Sequence, residues 1–144
     1  GVCLASRWLP EARERLGTSA GRGPKLISVV GFPFGAIPPE MKRAEAEWAA
    51  AAGAEELDVV PDFGALADGD GRAFCADLAP VVELGLPVKV IVEVGRLDPA
   101  ALELLEQLHA SGDRAELLHQ ATNSAAEAEA IASERGCGGC RWVG

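Results

Sequence analysis

An α/β fold, with parallel strands arranged as in a barrel, is the architecture this sequence predicts, and three observations predict it. Short runs rich in Val, Ile and Leu alternate with amphipathic stretches that carry helix start and stop signals. Repeated strand–helix–strand units imply a parallel sheet with right-handed crossovers. Within two of the runs, polar residues fall on alternate positions: Glu56, Asp58 and Asp62 against Leu57, Val59 and Phe63, and Lys89 and Glu93 against Val88, Val90, Val92 and Val94. An open doubly wound sheet meets helices on both faces and should be apolar on both. A barrel has an interior face, where a polar cluster near the C-terminal strand ends forms an active site. The alternation therefore favours the barrel, within a single domain spanning residues 1–144.

The elements follow in order. Strands are expected at 2–4, 25–30, 56–63, 88–94, 116–121 and 141–143, each bounded by turn or cap residues. Pro38-Pro39-Glu40 opens the helix MKRAEAEWAAAA, which Gly53 stops. Phe74, Leu78, Val81 and Val82 recur at helical spacing, and Pro80 is expected to kink that helix or shift its start. Asp98 caps a helix with Pro99 at its first position and Leu102, Leu105 and Leu108 as its apolar stripe. Ser124 with Glu127 forms a capping box for a last helix.

Composition narrows the function. A formal net charge of −9 disfavours nucleic acid or an anionic membrane as a partner, while a small phosphorylated substrate needs only a local site. LISVVGFPFGAIPP, the most apolar stretch, is too short and too broken by Gly and Pro to span a bilayer. The first residues lack a basic start followed by a long apolar run, so no secretory leader is expected. Cys3, Cys75, Cys137 and Cys140 are scattered, which fits a reducing cytoplasm. Cys137-Gly-Gly-Cys140 reads as two loop thiols without a disulfide rather than as half of a metal site, Cys3 as a small buried thiol and Cys75 as core. Gly31-Phe32-Pro33-Phe34-Gly35 reads as a loop or turn after a strand and is not a phosphate-binding glycine motif. Arg7 is a candidate anion contact or a solvated loop arginine. No cofactor and no metal are expected.

Asp58 is the residue that composition does not explain, because a carboxylate inside an apolar strand costs several kcal/mol, roughly, unless it is paired or used. One reading makes it a site residue on the sheet interior. The other makes it a structural carboxylate paired with Lys89 on the neighbouring strand. Their shared parity predicts that the two side chains lie within ion-pair distance.

VVGFPFGA (29–36), MKRAEAEWAAAAGAEELDVV (41–60), FGALADGD (63–70) and VKVIVEVGRL (88–97) follow one another as in the deoxyribose-phosphate aldolases, which this sequence resembles. VCLASRWLPEARERLGTS (2–19) looks like that family's second strand and following segment, so the resemblance covers most of residues 2–97. It implies a TIM-type (β/α)8 barrel, here incomplete, with about six parallel strands corresponding to the second to seventh of the family. It also implies a class I aldolase that cleaves 2-deoxy-D-ribose 5-phosphate to glyceraldehyde 3-phosphate and acetaldehyde. In that family a barrel lysine forms a Schiff base, a second lysine keeps it deprotonated, and an aspartate shuttles protons. Asp58 falls on the aspartate, and Lys89 is a supporting residue beside it. His119, in AELLHQATN (115–123), stands where the Schiff-base lysine is expected, and the second lysine would follow Gly144.

Lys25, Lys42 and Lys89 are the lysines of the sequence, and imidazole forms no iminium. The expectation is therefore a partial or degenerate member, a fragment of a longer reading frame that is inactive as given. The alternatives are a degenerate, non-catalytic barrel domain with a binding or assembly role, and a different barrel chemistry using Lys89 as the amine. The partner that the resemblance implies is a small phosphorylated sugar, with no nucleic acid or membrane, and with homo-oligomerisation left open.

Overall fold

The computed structural model of the chain describes residues 1–93, 95, 97–110 and 115–119. Five strands, β1 (Val2–Ala5), β2 (Leu26–Val30), β3 (Glu56–Val59), β4 (Val88–Val92) and β5 (Ala115–His119), form one sheet in the order β1-β2-β3-β4-β5. Every neighbouring pair is parallel. The helices are α1 (Leu9–Leu16), α2 (Pro39–Ala51), α3 (Phe63–Ala67), α4 (Gly71–Val82) and α5 (Pro99–Ala110). Sequential strands that pair only with their sequence neighbours, each joined through helix, give the alternating α/β architecture expected.

The strands are shorter than the apolar runs that announce them. The third run was expected to extend to Phe63, but β3 ends at Val59 because Asp62 caps α3, its Oδ1 accepting from the Gly64 N–H at 2.8 Å. Asp98 caps α5 as expected, accepting from the Ala101 N–H at 2.8 Å. Pro80 does not shift the start of α4, which begins behind Asp70 and runs through the proline in its last turn. Asp70 accepts from the Ala73 N–H at 2.9 Å and fixes that start. The expected strand at 141–143, the helix after Ser124, and Cys137 and Cys140 lie outside the described residues.

The core takes one face of the sheet. Leu26, Val30, Leu57, Val59, Val88, Val90 and Val92 pack with Leu9, Ala46, Ala49, Phe74, Leu78, Val81 and Leu105 from the helices. Side chains of a strand alternate between faces, so Cys3, Glu56, Asp58 and Lys89 share the opposite face. Each fully buried Leu or Val stabilises the fold by roughly 1.5–3 kcal/mol relative to exposure. That apolar seam fixes the register and thereby brings the polar residues together on the other side.

The connection after β2 closes tightly on the one after β3. Gly31 and Gly35 have φ of 68° and 66°, conformations that side chains rarely adopt. A Cβ on Gly35 would collide with the Pro61 carbonyl oxygen, so the close approach of the two connections requires glycine there.

Candidate active site

The polar face is built around two carboxylates, two residues apart on β3. Glu56 is the hub. Its Oε2 accepts from Lys25 Nζ at 2.9 Å, and its Oε1 receives Lys89 Nζ. Burial alone would raise the Glu56 pKa, but the hydrogen bonds from Lys89 and Lys25 outweigh it and hold the group below its ordinary value.

Asp58 is different. It is buried, in register with Lys89 on β4, and one of its oxygens, Oδ1, has no hydrogen-bond partner among the described residues. The other, Oδ2, accepts from the Cys3 thiol on β1 at 3.4 Å. Burial raises the Asp58 pKa, with the Glu56 charge adding to it, against the lowering effects of the Cys3 hydrogen bond and the Lys89 charge. Asp58 thus holds a proton more tightly than a free carboxyl does, and its Oδ1 is buried without a hydrogen-bond partner among the described residues.

The expected Asp58–Lys89 ion pair is not formed. The two are register partners on adjacent strands, as parity predicts, but Lys89 makes its ion pair with Glu56. A lysine stem reaches past its register partner, and Glu56 offers an anion already held ionised by Lys25, whereas burial disfavours the charge on Asp58.

Cys3, expected to be buried, is exposed on β1, although its sulfur faces Asp58. Desolvation around that sulfur, followed by the Asp58 charge and hydrogen bond, pushes its thiol pKa up to about 12. An ordinary thiol at neutral pH therefore donates to Asp58 rather than acting as a nucleophile. Cys75 is half-buried and packs against the core. His119 ends β5 in register with Val92, three strand positions beyond the level of Asp58, Lys89 and Glu116 and therefore of the opposite parity to them. Arg7 is exposed and stacks over the Trp8 ring at 4.7 Å.

All three lysines are engaged by carboxylates: Lys25 and Lys89 by Glu56, and Lys42 by Asp77 at 2.5 Å. The Lys42–Asp77 pair and the hub position of Glu56 were missed from the sequence. A signal for the pair existed, because Lys42 lies at i and i+4 spacing from the buried Ala46 on the face of α2 that enters the core. No group of three or more metal-binding side chains occurs among the described residues, and none of the described helices is long and apolar enough to cross a membrane.

No family model matches the sequence. The curated deoxyribose-phosphate aldolase of Rhodospirillum rubrum is 44% identical over 99 residues, which cover 67% of this chain and 40% of the relative. The deoxyribose phosphate aldolase of Aeropyrum pernix, whose structure is described as uniquely tetrameric, superposes with a TM-score of 0.57 at 34% identity, over 73% of this chain and 44% of that one. A solved aldolase designated QR15 superposes with a TM-score of 0.76 over 99% of this chain and 65% of its own, at 23% identity, and so supports the fold alone. The neighbours are barrel aldolases, and the barrel described for this chain is incomplete. The chain spans about half the length of the curated relatives it matches.

Proposed function

Since this chain is a homologue of the deoxyribose-phosphate aldolases over the stretch it shares with them, we propose that its sheet carries the acid–base part of an aldolase-type site for a small phosphorylated sugar, without an amine free to form the Schiff base. The observation that carries the reading is Asp58, a buried carboxylate with a raised pKa and one oxygen unpartnered among the described residues, on the polar face of β3.

In the reaction that the resemblance implies, an amine condenses with the substrate carbonyl and loses water to give an iminium. The iminium accepts the electron pair of the breaking carbon–carbon bond, while a base takes the proton of the hydroxyl that becomes the new aldehyde. An acid then returns a proton to the enamine carbon. Asp58 suits both proton steps, because burial raises its pKa and makes it a better proton acceptor than a free carboxylate. The Cys3 thiol donates to one carboxyl oxygen, which leaves the other for the proton transfers.

The condensation step lacks its nucleophile in this chain. An amine attacks through a free lone pair, and every lysine Nζ is committed to a carboxylate. His119 supplies no substitute, since imidazole forms no iminium. The same observation favours a second reading, a barrel domain that binds such a sugar without turning it over.

The test of the site is a titration of the protein with 2-deoxyribose 5-phosphate, following the Asp58 carboxyl carbon by NMR, with 2-deoxyribose and inorganic phosphate as controls. The reading expects the Asp58 resonance to shift with the sugar phosphate and the response to be lost in Asp58→Asn. A saturating response elsewhere on the fold, with Asp58 silent, would contradict it.

A further inference from the structure

Helix α2 carries two charged residues one turn apart, each of which reaches a strand-end connection rather than solvent. Glu45 uses both oxygens. Oε1 accepts from the Ser6 hydroxyl, just after β1, at 3.0 Å, and Oε2 accepts from the Gly31 N–H, just after β2, at 2.9 Å. Lys42 is fully buried, and its stem lies 3.3 Å from where a Cβ on Gly31 would be. Its Nζ meets Asp77 Oδ2 on α4 at 2.5 Å, and the same oxygen accepts from the Asp62 N–H, after β3, at 2.9 Å. The chain of contacts runs from Ser6 through Glu45, Gly31, Lys42 and Asp77 to Asp62. It links the ends of three consecutive strands.

We propose that Lys42, Glu45 and Asp77 are positioning residues that fix the connections after β1, β2 and β3 relative to one another at the end of the sheet where a barrel of this kind works. Their importance for a reaction rests on the aldolase-type reading above; the brace itself does not. A buried ion pair adds little net stability over apolar side chains of the same size, because desolvating both charges offsets their attraction. What it supplies here is direction, since a single oxygen of Asp77 must face both an ammonium and a backbone N–H. Gly31 and Gly35 bring the connections close enough for the brace to reach, and the Gly35 N–H closes the loop on the Gly31 carbonyl at 2.8 Å.

The test is amide hydrogen exchange on the protein without substrate, so that its outcome is independent of any turnover. Lys42→Met alone leaves a buried, unpaired Asp77 and could fail to fold. The informative variant is Lys42→Met combined with Asp77→Asn, which removes both charges and leaves an acceptor for the Asp62 N–H. The Gly35 and Val60 amides should exchange about tenfold faster in it, the scale of one lost hydrogen bond. The Leu57 amide, bonded to the Pro87 carbonyl at the opposite end of β3, should be unchanged. Glu45→Ala should produce the same local acceleration at Gly31 and Gly35. Glu45→Gln should restore most of the protection, because the amide oxygen can accept from Gly31 while the Ser6 hydroxyl turns to accept from the amide nitrogen. Acceleration of all amides together, which is what loss of global stability gives, would overturn the proposal, and so would unchanged exchange at Gly35 and Val60.

Discussion

At the scale of single residues, the face that carries Asp58 sets two carboxylates against each other. The unfolded Asp58 titrates near 3.8, and the folded one above that. A raised folded value means that the native state binds the proton more tightly. Asp58 therefore costs stability as pH rises from below 3.8 through its folded value, and the cost persists at neutral pH. Glu56 has the opposite sign: its folded value lies below 4.5, so its contribution is present above 4.5 and fades as pH falls through the folded value. Asp58→Asn should consequently be more stable than the native chain at neutral pH and lose that advantage in acid, as measured by urea unfolding across the range. An Asn variant that is destabilised equally at both ends would show that Asp58 is an ordinary structural acceptor. Cys3 reports on the same pair. Although exposed, its thiol should be alkylated slowly, and Asp58→Asn should accelerate alkylation at constant pH by removing the negative charge that disfavours the thiolate. An unchanged rate would separate the two side chains. Asp58 itself was legible in the sequence, because a carboxylate in the middle of an apolar strand stands out. Its partner was not. Parity places Glu56, Asp58 and Lys89 on one face but does not say which carboxylate a long, flexible lysine reaches, and two neighbouring anions two residues apart are both within its range.

At the scale of elements, the alternation in 56–63 and 88–94 was enough to locate β3 and β4 and to say which face of each enters the core. The helix expected to open at Pro38-Pro39-Glu40 starts at Pro39, and the expected Asp98 cap starts α5. The strand ends were less legible: Asp62 belongs by parity to the run before it and by hydrogen bonding to α3 after it, and the N-cap prevailed. The Lys42–Asp77 link between α2 and α4 was half legible: spacing puts Lys42 on the face of α2 that enters the core, but does not say which carboxylate meets it there. Its energetics differ from those of the Glu56 hub. Lys42→Met strands an unpaired carboxylate in the interior and should destabilise the chain by about 3–5 kcal/mol. Glu56→Gln leaves two lysines whose side chains are 45% and 21% exposed and can turn toward water, so it should cost less, about 1–2 kcal/mol. Denaturant midpoints of the two variants give the order directly, and a reversed order would mean that the Glu56 cluster, not the α2–α4 link, holds these elements together. Gly35→Ala should be among the more damaging single changes, since it combines a positive φ with a collision against the Pro61 carbonyl.

At the scale of the molecule, a parallel sheet with apolar residues toward helices on one side and charges on the other is the arrangement that makes an aldolase-type barrel a container for chemistry. The fold class was legible because that asymmetry is written into alternate residues, while the commitment of each lysine was not, because it depends on which strands and helices come together. The chain, as proposed above, has the proton-transfer carboxylate of such a site, Asp58, and no lysine amine free to form the covalent intermediate. The most direct measurement is borohydride reduction of the native chain in the presence of acetaldehyde or 2-deoxyribose 5-phosphate, followed by peptide mass mapping. No substrate-derived adduct is expected on Lys25, Lys42 or Lys89, because each is held by Glu56 or Asp77. A reduced adduct on Lys89, lost in a competition with excess unreactive sugar phosphate, would contradict that expectation and make Lys89 the nucleophile of a different barrel chemistry.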